Sequence, residues 1–285
     1  MQPIFDDDLI LRHKRRALGA AVPGVSFLLD RAVEDLAERL SAVERRFAHA
    51  AALFCGTSAA RQAMLASGKV ESAVRIEADA AFLSGEAGEI GSFDHIPLEP
   101  ESMDLAVSLM SLHEANDIPG ALIQIRRALR PDGLFLGAMA GGGTLAELRE
   151  SLLAAETELY GGASPRVSPF TDVRDAGALL QRAGFALPVA DVEPLTVRYS
   201  TMFELMRDLR AMGASNALAA RSRRPASRRL FVRAAQIYAE RFSDPDGRVR
   251  ATFATVWMSG WAPHASQQKP LKPGSAEISL TKVLK

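Results

Sequence analysis

The sequence predicts an α/β fold built on a parallel sheet, and three observations carry that expectation. Residues 105–109 and 134–139 are short apolar runs with the length of buried strands. Between them Ile118, Leu122, Ile125 and Leu129 recur at the spacing of one helix face. Strand, helix and strand in that order imply parallel pairing through a right-handed crossover.

Each element follows from local chemistry. The run Arg12-His-Lys-Arg-Arg16 reads as the solvated face of a first helix. Leu29, Val33, Leu36, Leu40 and Val43 form the apolar stripe of a second, with Glu34, Asp35, Glu38 and Arg39 outward. Residues 47–54 supply the first strand, Cys55-Gly-Thr-Ser58 the turn after it, and a helix runs to about Gly68. A strand at 73–76 ends on Glu77, completing a second β-α-β unit and arguing for a Rossmann-like sheet. Residues 78–102 read as irregular. Asn116 or Asp117 can cap the central helix, with Pro119 tolerated in its first turn. Arg126, Arg127 and Arg130 sit near its C-terminus, where the dipole favours cations, and Pro131-Asp-Gly133 reads as a turn. Thr144 and Glu147 have capping-box spacing at the start of another helix. A turn-rich loop at 161–170 precedes a helix at 172–183 and a strand at 185–199. Phe203, Met206 and Leu209 mark one inserted helix and residues 226–242 a second. Residues 249–261 alternate as a last strand, and 278–284 read as a short edge strand. The expected domains are an N-terminal helical segment (1–46), a Rossmann-like core (47–200), a helical insertion (201–247), and a final strand with a C-terminal tail (248–285).

Composition excludes several classes. The 34 basic and 34 acidic residues give no net charge, hence no global attraction to nucleic acid or anionic membrane. Arg221, Arg223, Arg224, Arg228, Arg229 and Arg233 concentrate charge in the insertion, which reads as solvated rather than nucleic-acid-binding. A single cysteine forbids an intramolecular disulfide and points to a reducing compartment, read as cytoplasmic. No apolar run approaches about 18 residues, so no integral membrane segment is expected. Nor does any His/Cys spacing suggest a metal.

In such sheets ligands bind beyond the C-terminal strand ends, at the switch in strand order. That directs attention to Met110-Ser111-Leu-His113-Glu114 after the strand at 105–109 and to Ala140-Gly-Gly-Gly143 after the strand at 134–139, while Cys55, Gly56 and Thr57 follow the first strand and Glu77 closes the second. The pocket is expected where the strands ending near Phe54, Glu77 and Leu109 finish. His113 stands where it could shuttle a proton near neutral pH, or only orient a loop.

The same order of elements resembles the class I S-adenosylmethionine-dependent methyltransferases. The matching pieces are Leu53-Phe-Cys-Gly-Thr57, Glu77, Met103-Asp-Leu-Ala-Val-Ser108, Leu112-His113, Asn116-Asp117 and Leu129-Arg-Pro-Asp-Gly133. The resemblance implies S-adenosylmethionine as cofactor, with Glu77 accepting from the ribose hydroxyls and Ser92 or Asp94 meeting the adenine amino group. A closer likeness covers nearly the whole chain. It rests on Gly137-Ala-Met-Ala-Gly-Gly-Gly-Thr-Leu-Ala-Glu-Leu-Arg149, Ala155-Glu-Thr-Glu158, Gly161-Gly-Ala-Ser-Pro165, Ser168-Pro-Phe170, Arg182-Ala-Gly-Phe185, Phe203-Glu-Leu-Met206 and Met212-Gly-Ala-Ser-Asn216. These blocks resemble the methyltransferase-fold assembly factors of respiratory complex I, which implies hydroxylation of an arginine in a complex I subunit or action on another protein. The malonyl-carrier-protein methyltransferases of biotin synthesis are similar over the first half.

The first motif departs from the family. Where an acidic residue and Gly-x-Gly-x-Gly are usual, this chain has Ala52, Phe54, Gly56 and Ser58. The missing acceptor alone costs on the order of 1.5–3 kcal/mol of cofactor binding. Three readings therefore stand: a methyltransferase-fold enzyme, an assembly chaperone that has lost its cofactor, and a basic interaction module. Glu77→Ala is expected to weaken cofactor binding with the ligand-free melting temperature nearly unchanged. Restoring Asp at 52 with Gly at 54 and 58 is expected to tighten binding at lower thermal stability.

Overall fold

A computed structural model describes residues 2–268; the predicted edge strand at 278–284 lies outside them. Seven strands form one mixed sheet in the order β3-β2-β1-β4-β5-β7-β6. β1 (Phe47–Leu53) pairs in parallel with β2 (Val70–Glu77) and with β4 (Met103–Leu109). The chain therefore leaves β1 in both directions, and the switch point falls between β1 and β4. β3 (Glu89–Ile90) adds to the outer edge beside β2. β5 (Leu129–Ala140) continues the parallel run, whereas β7 (Val249–Trp261) lies antiparallel to both β5 and β6 (Ala186–Tyr199).

Helices cover both faces. α2 (Phe27–Ala42) and α3 (Ala59–Ala66) bury Leu36, Leu40, Ala60 and Met64 against Phe47, Val107 and Trp257. On the other face α5 (Ile118–Ala128) and α7 (Val173–Arg182) bury Leu122, Ile125, Leu179 and Leu180 against Leu53, Ile76 and Phe135. Each such leucine or isoleucine contributes about 1.5–3 kcal/mol on leaving water. A third apolar cluster joins α6 (Ala146–Tyr160), α8 (Met202–Ala211) and α9 (Arg228–Phe242) around Leu148, Leu205, Leu230 and Tyr238. α1 (Asp7–Ala20) has no buried residue of its own and lies across the C-terminal ends of the strands.

Several local expectations are corrected. Pro131-Asp-Gly133 is not a turn: it lies inside β5, beside a register shift against β4. Asp117 caps α5 by accepting from Gly120 N–H at 2.8 Å, while Asn116 instead accepts from the N–H groups of Ile4 and Phe5. The Thr144–Glu147 capping box does not form. Leu145 occupies the N-cap with φ of 54°, Thr144 bonds to the Ala254 backbone, and Glu147 accepts from Thr252. A strand offering unpaired backbone groups outcompeted the local cap. Residues 78–102 hold a helical turn, α4 (Ala80–Leu83), and β3. Arg39 does not face solvent freely but forks onto Asp191 at 2.9 and 2.7 Å and covers the Trp257 ring at 4.4 Å. Phe203 is 43% exposed, and Met202 and Leu205 take the buried positions of α8.

Candidate functional site

Two adjoining cavities open at the C-terminal ends of β1, β2 and β4. The first, about 160 Å³, is lined by Glu77, Ala78, Gly91, Ser92, Phe93 and Asp94 on one side and by α1 on the other. The second, about 310 Å³ and mostly apolar, runs from the β1 and β4 ends to Leu28, Leu145, Phe170, Met212 and Phe253. Phe54, Gly56, Phe82, Lys14 and Glu114 line both.

Glu77 is the anchor of the first cavity. Its side chain is 1% exposed. One oxygen accepts from Gly56 N–H at 3.0 Å and the other from the Arg75 guanidinium at 3.0 Å. Arg75 is equally buried and donates also to the carbonyls of Phe82 and Leu83, which ties α4 to the same network. Burial raises the Glu77 pKa, and the bonds from Gly56 and Arg75 oppose the rise. Ionised, each oxygen retains acceptor capacity toward a hydroxyl pair.

The loop after β1 explains the odd first motif. Phe54 adopts φ of 55°, in the left-handed region that glycine enters freely, so its backbone already has the conformation of the missing glycine. The side chain is buried in the apolar cluster on the α5 and α7 face of the sheet, packs on Phe93 with centroids 4.4 Å apart, and lines both cavities. Gly56 has φ of 71°, and nothing lies within 4 Å of where a Cβ would sit, so conformation rather than space requires glycine there. Ala52 is fully buried in the apolar cluster beneath α2 and α3. No carboxylate stands at that position.

The remaining predicted residues divide between lining and support. Cys55 turns its thiol into the core toward the carbonyls of Leu53 and Val107, and burial pushes it up to about 12. Thr57 is exposed and accepts from Ala59 N–H. Ser92 pairs with the backbone of His95, and Asp94 lies exposed at the rim of the first cavity. Ser111 shares a bond with Ser108 at 3.3 Å, and Met110 lines the second cavity with φ of 55°.

His113 requires a correction. Burial lowers its pKa to about 4, and Nδ1 accepts from Ala140 N–H at 3.3 Å. The ring is therefore neutral at pH 7 with its proton placed on Nε2, a donor rather than a base poised near neutrality. Its face lies 6.0 Å from the Phe170 ring.

The basic run read as a solvated helix face belongs in part to the rim. Lys14 pairs with Glu114 and Arg15 with Asp79, so two of its charges span from α1 to the strand-end loops. Arg221 of the insertion reaches Asp6 at 2.8 Å, and Arg233 pairs with Glu158. Alternating charge in sequence carried no signal of these pairings, which join residues far apart in the chain.

The profile of a family described as a methyltransferase domain matches residues 53–137. A putative methyltransferase from Bacillus halodurans superposes with a TM-score of 0.56 at 14% identity, covering 81% of this chain and 99% of its own. YcgJ from Bacillus subtilis does so at 0.53 and 14%, with the same coverage. With the strand order and cavity position, these define a methyltransferase-fold protein. At sequence level the chain is 39% identical over 285 residues to human arginine-hydroxylase NDUFAF5, mitochondrial, covering 97% of this chain and 82% of that protein. It belongs to the NDUFAF5 arginine-hydroxylase family. The zebrafish protein of the same name is 46% identical over 192 residues, a match spanning 67% of this chain but 60% of the relative. A malonyl-[acyl-carrier protein] O-methyltransferase from Laribacter hongkongensis is 36% identical over 181 residues, or 65% of this chain and 58% of that one.

Among the described residues no group of His, Cys, Asp or Glu is arranged to hold a metal ion, and no helix is long and apolar enough to cross a membrane.

Proposed function

We propose that this protein binds S-adenosylmethionine in the first cavity and acts on an arginine side chain of a protein partner, a subunit of respiratory complex I, by hydroxylation. The observation that supports cofactor binding is the Glu77 carboxylate. It is held by Gly56 and Arg75 at the end of β2 and opens on a cavity flanked by Ser92, Phe93 and Asp94. A nucleoside's vicinal hydroxyls suit such an acceptor, and Phe93 offers an aromatic surface beside it. Cys55, Gly56, Thr57, Met110 and Ser111 would border the rest of the ligand. The bound cofactor would supply a sulfonium centre activated toward transfer. Hydroxylation would insert one oxygen atom into the arginine side chain, a two-electron oxidation that a sulfonium cannot supply, so a separate oxidant of the class of molecular oxygen with a reductant would have to accompany the protein substrate. Neutral His113, with Nε2–H free to donate, would orient a substrate carbonyl or amide in the apolar second cavity.

The protein substrate is inferred from the relatives' names and from the open, mostly apolar second cavity. For location we keep the cytoplasm as the proposal, on the strength of the single buried cysteine; the human and zebrafish relatives are named as mitochondrial. The test is calorimetric titration of the full chain with S-adenosylhomocysteine, which should bind at micromolar strength. Absence of binding would favour the second reading, a non-catalytic assembly protein, for which Ala52 and Phe54 are the supporting observations.

A further inference from the structure

Lys14 and Glu114 line both cavities and pair across their junction. Among the described residues Lys14 is the only lysine or arginine lining either one. The other ionised groups there, Asp7, Glu77, Asp94 and Glu114, are acidic. A ligand bringing a carboxylate into this space has one cation to meet.

We propose that Lys14 and Glu114 together receive the amino-acid end of the cofactor, Lys14 taking its α-carboxylate and Glu114 its α-ammonium. This rests on the reading of the cavity as an S-adenosylmethionine site, and it answers a question that site raises. The usual acidic residue is replaced by Ala52, fully buried in the apolar cluster beneath α2 and α3 and lining neither cavity. The amino-acid end must therefore find its charges elsewhere. A purely cationic ligand at this junction would leave Lys14 without a partner, and a purely anionic one would strand Glu114. A zwitterion entering between them gives each side chain a new opposite charge, so no partly buried charge is left uncompensated. The pair is exchangeable because its side chains keep 27% and 18% of their exposure, and pairs reached by water contribute little by themselves.

The fold holds Lys14 in place. Gly213, at φ of 82°, packs so closely that a Cβ there would lie 3.0 Å from the Lys14 Cα. The Asn116 amide accepts from Ile4 and Phe5 N–H at 2.8 and 2.9 Å, and Arg15 pairs with Asp79. The helix backbone is thus pinned at both sides of Lys14 while its flexible stem stays free to turn toward a ligand.

The experiment titrates the full chain with S-adenosylhomocysteine and with 5′-methylthioadenosine, which carries the same nucleoside but no amino acid. The wild type should bind the first more tightly. Lys14→Gln should weaken S-adenosylhomocysteine about tenfold, or about 1.4 kcal/mol, and leave methylthioadenosine within about twofold. Glu114→Gln should act in the same direction. Unchanged S-adenosylhomocysteine affinity in both variants overturns the proposal while the cofactor reading stands. So does equal loss of both ligands with a fallen melting temperature, which would make the pair a clamp on α1 only. A wild type that binds neither nucleoside overturns the cofactor reading and this proposal with it.

Discussion

The two ends of the first cavity are built on opposite plans. At the Glu77 end a carboxylate and a guanidinium, each 1% exposed, are locked by bonds to Gly56, Phe82 and Leu83. At the junction end the charges are Lys14 and Glu114, paired directly with each other and still partly exposed. The first end pays its desolvation during folding and presents a fixed acceptor. The other keeps its charges paired with each other within reach of water. The difference teaches that a loop can lose motif residues without losing its backbone form, since Phe54 at φ of 55° still follows the path a glycine would take.

The largest test of this contrast is Glu77→Ala. Because the acid is buried and ion-paired, the earlier expectation of an unchanged melting temperature no longer holds. Removing Glu77 takes from the buried Arg75 its fully buried carboxylate partner and leaves only the half-exposed Glu86 at 3.4 Å, a loss of about 3 kcal/mol. Denaturant unfolding of the ligand-free protein measures it, and a change below about 1 kcal/mol would mean Arg75 is satisfied by Glu86 and the Phe82 and Leu83 carbonyls. Lys14→Gln should by contrast leave unfolding almost untouched.

Phe54→Gly comes next. Deleting a buried phenylalanine costs about 3–5 kcal/mol, and relief of the left-handed backbone returns about 1–3, so a net loss near 2 kcal/mol is expected. The glycine should not tighten nucleoside binding by backbone approach, since that approach exists already. Restoring Asp at Ala52 would bury a charge in an apolar cluster and cost several kcal/mol. The triple replacement is therefore expected to fail by unfolding rather than to gain affinity. A well-folded triple variant with tighter S-adenosylhomocysteine binding would restore the original expectation.

The smallest effect separates the ends by pH. His113 has a folded pKa of about 4 against an ordinary 6.5. Its stabilising share is fully present above pH 6.5 and is lost as pH falls toward 4. Glu77 runs the other way: its pKa is raised, so its share is present below 4.5 and lost as pH rises through the folded value. Unfolding midpoints of wild type and His113→Gln at pH 7, 5 and 4 should converge on acidification. Parallel curves would remove His113 as the source of the acid limb.

Periodicity by itself determined the order of the longer strands and helices, the parallel core and the position of the cavity, but not α4 or β3. Apolar spacing such as Ile118, Leu122 and Ile125 is a local record of which face is buried. The alignment of Leu53-Phe-Cys-Gly-Thr57 likewise located a loop that lines both cavities. Tertiary structure alone decided the states of the groups in it. That Glu77 is paired with Arg75, that Cys55 faces the core, and that Thr144 serves β7 rather than its own helix depend on neighbours supplied by other strands. The pairing of Lys14 with Glu114 joins residues a hundred positions apart. Backbone conformation is encoded within a few residues, whereas burial and charge compensation are properties of whatever the folded chain brings within a few ångströms.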